Sequence, residues 1–594
     1  MRDGVVFRES VLFSFSVLIL ACVGCGGDDA PPAALDEEAT ADAVETPSPE
    51  PPPSQDLTAE EPSVPREVTP ETVNQAAVLP AWAGQAGEPF DVKQFLESRQ
   101  PPADNAAPLY ITALAQIGGE LGHLFPEAER SQRLDRARTL GRSIGELANA
   151  DKLESGAIPP QQVEQVLVSA APVIDQLDLA QSKQSCVFTT PISIDVLLPH
   201  VQAARNVARL SMVQLYLASV KGDSELAASA AKRSLCLSRD LRPRGFIVCQ
   251  LVSIAMDGII LDAIGRFTLK GPGLTTDHCD QVLSLLVEHQ RQGLDCYSEG
   301  LHLDYIASRQ TLEDLRGGKI SPDDVEKLIG VAPGRGPSLE RISIDAEVAA
   351  LNRVFTSAFR EAPAPYHQIA QSNATKSEIA KLTERAKAGQ ADAAVLVLLF
   401  VPALDAVREA STRSQANLAG VQLLTAVRRF EVAHGYLPES LDEVASETIL
   451  KTVPTDPYSG RPMCYAIIDG KPTVYSVGKD LKDDGGRTDW KYGQQPGDYL
   501  LPLTPLPGTG PRPKTAATPK AGDTPRTTPA QPTPKPTSAP RVWTSTVGTT
   551  VEAEFVELQD NVAVLKKGDG SVLRVTLDNL SEQDREWIRQ AVQR

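Results

Sequence analysis

Thr550-Val551-Glu552-Ala553-Glu554-Phe555-Val556-Glu557-Leu558, followed by Val562-Ala563-Val564-Leu565-Lys566-Lys567-Gly568-Asp569-Gly570-Ser571-Val572-Leu573-Arg574-Val575, is the stretch on which the reading of this 594-residue chain turns. Val551, Ala553 and Phe555 alternate with Glu552 and Glu554, the period of two that turns one strand face to a core and the other to water. A second strand is predicted over 561–566. Lys567 to Gly570 supplies a turn, and Leu573, Val575 and Leu577 alternate again in a third strand. Ser581 caps a final helix whose acidic first turn suits the helix dipole, and Trp587 and Ile588 give that helix an apolar face. Three strands and a helix within residues 541–594 predict a small, self-contained β-barrel.

The order Arg541-Val542-Trp543-Thr544, "TVEAEFVEL" (550–558), "VAVLKKGDGSVLRV" (562–575) and "LSEQDREWI" (580–588) resembles the Sla-one homology domain. That resemblance covers the module nearly end to end and implies an SH3-like, peptide-binding domain. In the fungal endocytic adaptor that gives the family its name, the domain binds Asn-Pro-Phe-x-Asp peptides. The family is linked to adaptor, cytoskeletal-protein and ubiquitin binding and to self-association. Only the fold and the peptide-binding character carry over here, and no individual ligand-binding residue does.

Upstream, residues 504–540 are dominated by Pro, Thr, Ala and Lys and are predicted to be a linker. Where it is polyproline-like, at ~3.1 Å per residue, such a tether reaches on the order of 100 Å. Its basic residues Arg512, Lys514, Lys520 and Lys535 serve solubility or touch an anionic polymer or lipid.

Residues 414–503 form the next expected module. Leu418, Val421, Leu424, Val427 and Val432 run down a helix to His434, and strands are predicted over 463–468 and 473–477. The series "RRFEVAHGYLPESLDEV … VPTDPYSGRPMCYAI … YSVGKDLKDDGG" resembles the globular part of major pseudopilins of type II secretion, a small α+β fold. Pseudopilins begin with the hydrophobic helix through which they polymerise. This module lies far inside the chain, so a borrowed domain is expected rather than a filament subunit. In pseudopilins the loop after the last conserved strand binds calcium. Ser476, Asp480, Asp483, Asp484, Asp489 and Asp498 are the matching oxygen donors, and calcium is the one cofactor that the resemblance suggests. A solvated acidic turn is the alternative, and Lys479 and Lys482 favour it.

Residues 102–413 are predicted to be a helical body. "DNAAPLY" (104–110) looks like the start of helical domains in bacterial envelope proteins. Apolar residues from Leu197 to Leu217 make one broad helix face, Lys221-Gly222-Asp223-Ser224 breaks it, and Leu226 to Leu237 continue a partner helix. The pair is tetratricopeptide-like in architecture, without a strict repeat. Further helices are expected over 246–268, 276–293, 295–316, 339–360 and 375–388. Ala393 to Phe400 reads as a short buried helix. The most reactive-looking neighbours are His278 and Cys279, but adjacent helical residues point ~100° apart and do not face each other. His302 with Asp304 is no more telling. No HExxH, phosphate loop or GxSxG is present.

At the amino terminus Val11 to Ala21 is an apolar run too short to span a bilayer and right for a signal-peptide core. Cys25, with Cys22 as the alternative, resembles the acylated cysteine of a bacterial lipoprotein signal ending at residue 25. Residues 26–101, rich in Pro, Ala and Glu, are predicted to be a disordered acidic stalk. The net charge of −19 argues against nucleic acid. The other cysteines, Cys186, Cys236, Cys249, Cys279, Cys296 and Cys464, show no metal spacing, and one or two disulfides are expected in the helical region.

The expected whole is therefore multidomain and mainly α, a helical body with an α+β module and a terminal β-barrel joined by linkers. The function that follows is a non-enzymatic adaptor lipoprotein, anchored in the bacterial cell envelope and facing the periplasm or the exterior. Its module 541–594 would present a binding site to an envelope protein or peptide. An enzyme with a site in the helical body, and a purely structural envelope component, are the alternatives.

Overall fold

The computed structural model describes residues 79–512, apart from short internal stretches of which 325–341 is the longest, and most of 541–592. Two compact units meet in sequence between Arg512 and Pro513.

The first unit is mainly helical. Its helices are α1 (Val92–Ser98), α2 (Ala107–Ala115), α3 (Arg130–Leu147), α4 (Ala150–Glu154), α5 (Pro160–Gln181), α6 (Pro199–Lys221), α7 (Ser224–Asp240) and α8 (Ile247–Arg266). There follow α9 (Thr276–Gln292), α10 (Cys296–Arg316), α11 (Ile344–Glu361), α12 (Tyr366–Ser372), α13 (Ala374–Lys387), α14 (Val395–Phe400), α15 (Leu404–His434) and α16 (Leu441–Ser446). Strands β1 (Cys464–Ile468), β2 (Lys471–Ser476) and β3 (Tyr499–Pro502) close the unit.

The expected α6–α7 hairpin forms for the expected reason. Gly222 ends α6 at φ +66°, where a side chain would be strained, and the Asp223 carboxylate then accepts the Leu226 N–H at 2.9 Å to start α7. Helix α8 is apolar on all sides and sits among α6, α7, α10 and α15. By length and composition it is the one described helix apolar enough to cross a membrane, yet Val252, Met256, Ile260 and Ala263 are buried in the protein itself.

Helix α15 runs unbroken for 31 residues across the boundary expected at residue 413/414. Leu424, Val427 and Phe430 from α15, with Val474 and Leu503, share one core with Leu215, Ile260 and Leu283. Helical body and sheet module share a core and lie in one compact unit. The sheet is antiparallel in the order β1-β2-β3, with Cys464 opposite Tyr475 and Thr473 opposite Pro502.

Both expected linkers start or end elsewhere. Trp82 is buried against Tyr305 and donates its indole N–H to Gln310 at 2.8 Å, and Asp91 caps α1, so the acidic segment has become folded structure by residue 79. At the other end, residues 504–512 are clasped to α15 and α16. The buried Arg428–Glu431 ion pair is the centre of that clasp. Arg428 donates to the Thr504 carbonyl at 2.5 Å, and Glu431 accepts the Leu506 N–H at 2.7 Å and the Thr509 hydroxyl. Arg512 pairs with Glu443 at 2.9 Å.

The expected disulfides do not form among the described cysteines, since Cys186, Cys236, Cys249, Cys279 and Cys464 are all free thiols. Burial explains their placement: Cys249 and Cys279 are core residues, used for packing rather than cross-linking.

The second unit has one more strand than predicted. Strands β4 (Arg541–Thr544), β5 (Thr550–Gln559), β6 (Val562–Lys567) and β7 (Val572–Thr576) form an antiparallel sheet in that order, followed by α17 (Glu582–Val592). A bulge between Phe555 and Glu557 shifts the β5–β6 register.

Candidate protein-binding module

The second unit is built around Trp543. Trp543 alternates out of β4 into the core at 1% exposure, with Ala553, Phe555, Ala563, Leu565 and Ile588 around it. Its indole N–H donates to the Ala553 carbonyl at 2.8 Å, which satisfies the single polar atom that it buries. Trp587 from α17 meets it edge-on at a ring separation of 5.3 Å.

Arg541 joins these rings to the helix. Its guanidinium lies 4.7 Å from the Trp543 ring centre and 4.6 Å from that of Trp587, and it pairs with Asp584 at 2.7 Å. The other Asp584 oxygen accepts the Thr544 N–H at 2.7 Å and the Ser581 hydroxyl at 2.9 Å. The Ser581 hydroxyl in turn accepts the Asp584 N–H at 3.3 Å, which is the predicted cap, while the Ser581 N–H goes to the Thr544 carbonyl at 2.8 Å. One buried carboxylate thus fastens the first strand to the start of the last helix.

With the inner face filled, the outer face and the sheet edges are what the module offers. Val542 and Val556 are exposed at 55% and 41%, while Glu554 stands opposite Lys566 on the ladder. Strands β4 and β7 end the sheet order, and at the β4 edge Thr544 already gives its N–H to Asp584 and its carbonyl to the Ser581 N–H. Residues 541–594 contain neither His nor Cys, so thiolate and imidazole chemistry have no place in this module.

The remaining expected site residues are scattered. Cys22, Cys25 and Asp489 lie outside the described residues. The Ser476 hydroxyl donates to buried Asp456 at 2.7 Å and accepts the Gly478 N–H at 3.1 Å. Asp480 accepts the Lys482 N–H, and Asp483 accepts the Tyr475 hydroxyl and the Gly485 N–H. Asp498 is 2% exposed and takes the N–H groups of Asp484, Gly486 and Arg487, and burial pushes its carboxyl pKa up. Backbone turn bonds therefore use the oxygens that calcium would need. Among the described residues no group of three His, Cys, Asp or Glu side chains gathers as a metal site, and Asp489 of the expected set lies outside them.

Two further pairs are structural. Burial raises the Cys279 thiol to about 12, and neighbouring Asp280 is engaged by Arg429 at 2.7 Å. His302 stacks on Phe95 at 4.6 Å, and Asp304 accepts the Ile247 N–H at 2.7 Å to begin α8.

The Arg541–Asp584 fastening and the Trp543 core define a small β-module with a closed interior and an outer face free for a partner. Residues 530–594 match the family model described as SLA1 homology domain 1, SHD1, a family of protein-binding domains. No curated protein and no solved structure matches the chain.

Proposed function

We propose that this protein is a non-enzymatic adaptor whose terminal module captures a peptide or protein. The family match over 530–594 carries the reading, because that family binds proteins and the module is a compact unit of its own. The first unit is the base from which the module is presented. The base is anchored in a bacterial envelope through a lipid on Cys25, or Cys22, and the module faces the periplasm or exterior. Val542 and Val556 supply the contact surface.

The test is co-purification from intact membranes, with the full chain compared with one ending at Pro540. A partner present with the full chain and missing from the shorter one supports capture by the module. Identical partners in both sink that reading and move attention to the first unit. Mass spectrometry of the mature amino-terminal peptide examines the anchor separately, and unmodified Cys22 and Cys25 would remove it.

A further inference from the structure

Helices α3 and α5 pack on each other and leave between them a groove of about 840 Å³. Its α5 wall, Val166, Ser169 and Pro172, carries no charge, and Leu140 adds apolar surface from α3. Phe125 also lines it, with the Arg133 guanidinium 6.0 Å from the ring centre. All the charge in the lining comes from α3, as Arg133 and Arg136 against Asp135. Arg133 pairs with Glu129 at 2.6 Å, whereas Arg136 is exposed and makes no ion pair among the described residues. With Arg130, Arg138 and Arg142, α3 holds five arginines to two carboxylates, a basic helix in a chain of net charge −19.

The acid of that chain is concentrated elsewhere. Residues 28–61 hold eleven Asp and Glu and no Lys, Arg or His, which is more than half of the net charge. Within them Pro47-Ser48-Pro49-Glu50-Pro51-Pro52-Pro53-Ser54-Gln55-Asp56 joins prolines to carboxylates. Proline-rich chain docks in grooves with apolar walls, because its rings are already held in the polyproline conformation and little entropy is lost. The lengths agree. From Gln132 to Ser143 the α3 wall runs ~17 Å, the length of five or six polyproline residues. Residues 57–78 reach up to about 75 Å when extended, against a radius of gyration of ~22 Å for a unit this size, so the segment can arrive at α3 from Leu79.

We propose that the groove between α3 and α5 is the docking site of the chain's own residues 47–56. The prolines lie on Leu140, Val166 and Pro172, and Glu50 pairs with Arg136. A segment tethered to the same chain has an effective concentration on the order of millimolar, which favours it over a free peptide of the same chemistry. The acidic segment is then strapped to the base over part of its length, whatever the terminal module binds.

The experiment uses the full chain with Arg136→Lys, which keeps the charge and supplies a primary amine. A carbodiimide condenses that amine with a carboxylate in ion-pair contact, and mass spectrometry of the digest identifies the carboxylate. The expected product is an amide to Glu50, or to Glu45 or Asp56 beside it. Its yield should fall about fivefold or more at ~1 M salt, where the screening length is ~3 Å. Replacing Pro51, Pro52 and Pro53 together with Gly should also lower it severalfold, because charge alone then holds the segment. Running the reaction on mixed isotopically light and heavy chains separates the occupants, and products that join the two labels would give the groove to a second copy and overturn the proposal. Amides to Glu129 or Asp135 alone overturn it as well, as does a yield that neither salt nor the glycine replacements change.

Discussion

Two single side chains are the most informative to change. Trp543 fills the centre of a module of little more than fifty residues, so Trp543→Ala should remove about 3–5 kcal/mol, most of what a domain this size has. The expected outcome is loss of the cooperative unfolding transition of the terminal module, followed by calorimetry of the full chain. Asp304 gives a prediction in pH. Burial raises its carboxyl from 3.8 to about 7, against the pull of the Ile247 N–H. The folded state therefore holds a proton that the unfolded state has released, and stability falls as pH rises from about 4 to 7. Asp304→Asn keeps an acceptor for Ile247 and abolishes that decline. Urea unfolding at pH 5 and pH 8 should show the variant gaining on wild type by on the order of a few kcal/mol at the higher pH. A constant difference between them would contradict the assignment. At this scale the sequence was least legible. Arg99, Arg428, Glu431 and Asp584 carry charge, and charge in a sequence reads as surface, whereas here each is buried. Ser581 is the exception, because a cap is a local pattern.

Helix α3 carries two glycines with opposite expected effects. A methyl group on Gly141 would meet the Gly118 backbone at 2.8 Å, where Gly118 holds φ +101° and donates to the Ala137 carbonyl. Gly145, four residues on, faces open space. Gly145→Ala should add about 0.5–1 kcal/mol through helix propensity. Gly141→Ala should instead cost about 1–3 kcal/mol, because the helix must move off the turn it packs against. Chemical denaturation of the two variants checks the pair, and two gains of equal size would disprove the close contact. Most helices were readable in advance, α9, α10 and α13 from a 3.6-residue apolar stripe turned inward and α8 from its length and its apolar character on all sides. Strand β4 was not, since four residues with Arg541 on the inward side show no alternation of apolar and polar. Arg541 is tolerated there because two indole rings and Asp584 receive it. The acidic loop after β2 reads two ways for a related reason: Asp and Gly in series suit both metal binding and backbone turns, and here Asp480, Asp483 and Asp498 accept backbone N–H groups of the turn.

Considered whole, the chain has two units with separate cores, and their stabilities should be separable. Calorimetry of the full-length protein is expected to show two transitions, with Trp543→Ala removing one and leaving the midpoint of the other unmoved. A shift in both would mean that the units share energy. The resemblance at 541–594 was legible because the module is short and local, but the merger of 102–413 with 414–503 was hidden, since α15 looks like a new start only when its partners α8 and α9 are unseen. The clasp on α15 also has a mechanical meaning. Whatever pulls on the terminal module pulls on Arg512 first, and the load then passes to Glu443, to the Glu431 carboxylate and to the buried Arg428 before it reaches β3. Each of those bonds stands between the pull and β3. The protein thus places a strain relief where the cable enters the housing, and a tug on residue 512 meets this clasp before it reaches the base.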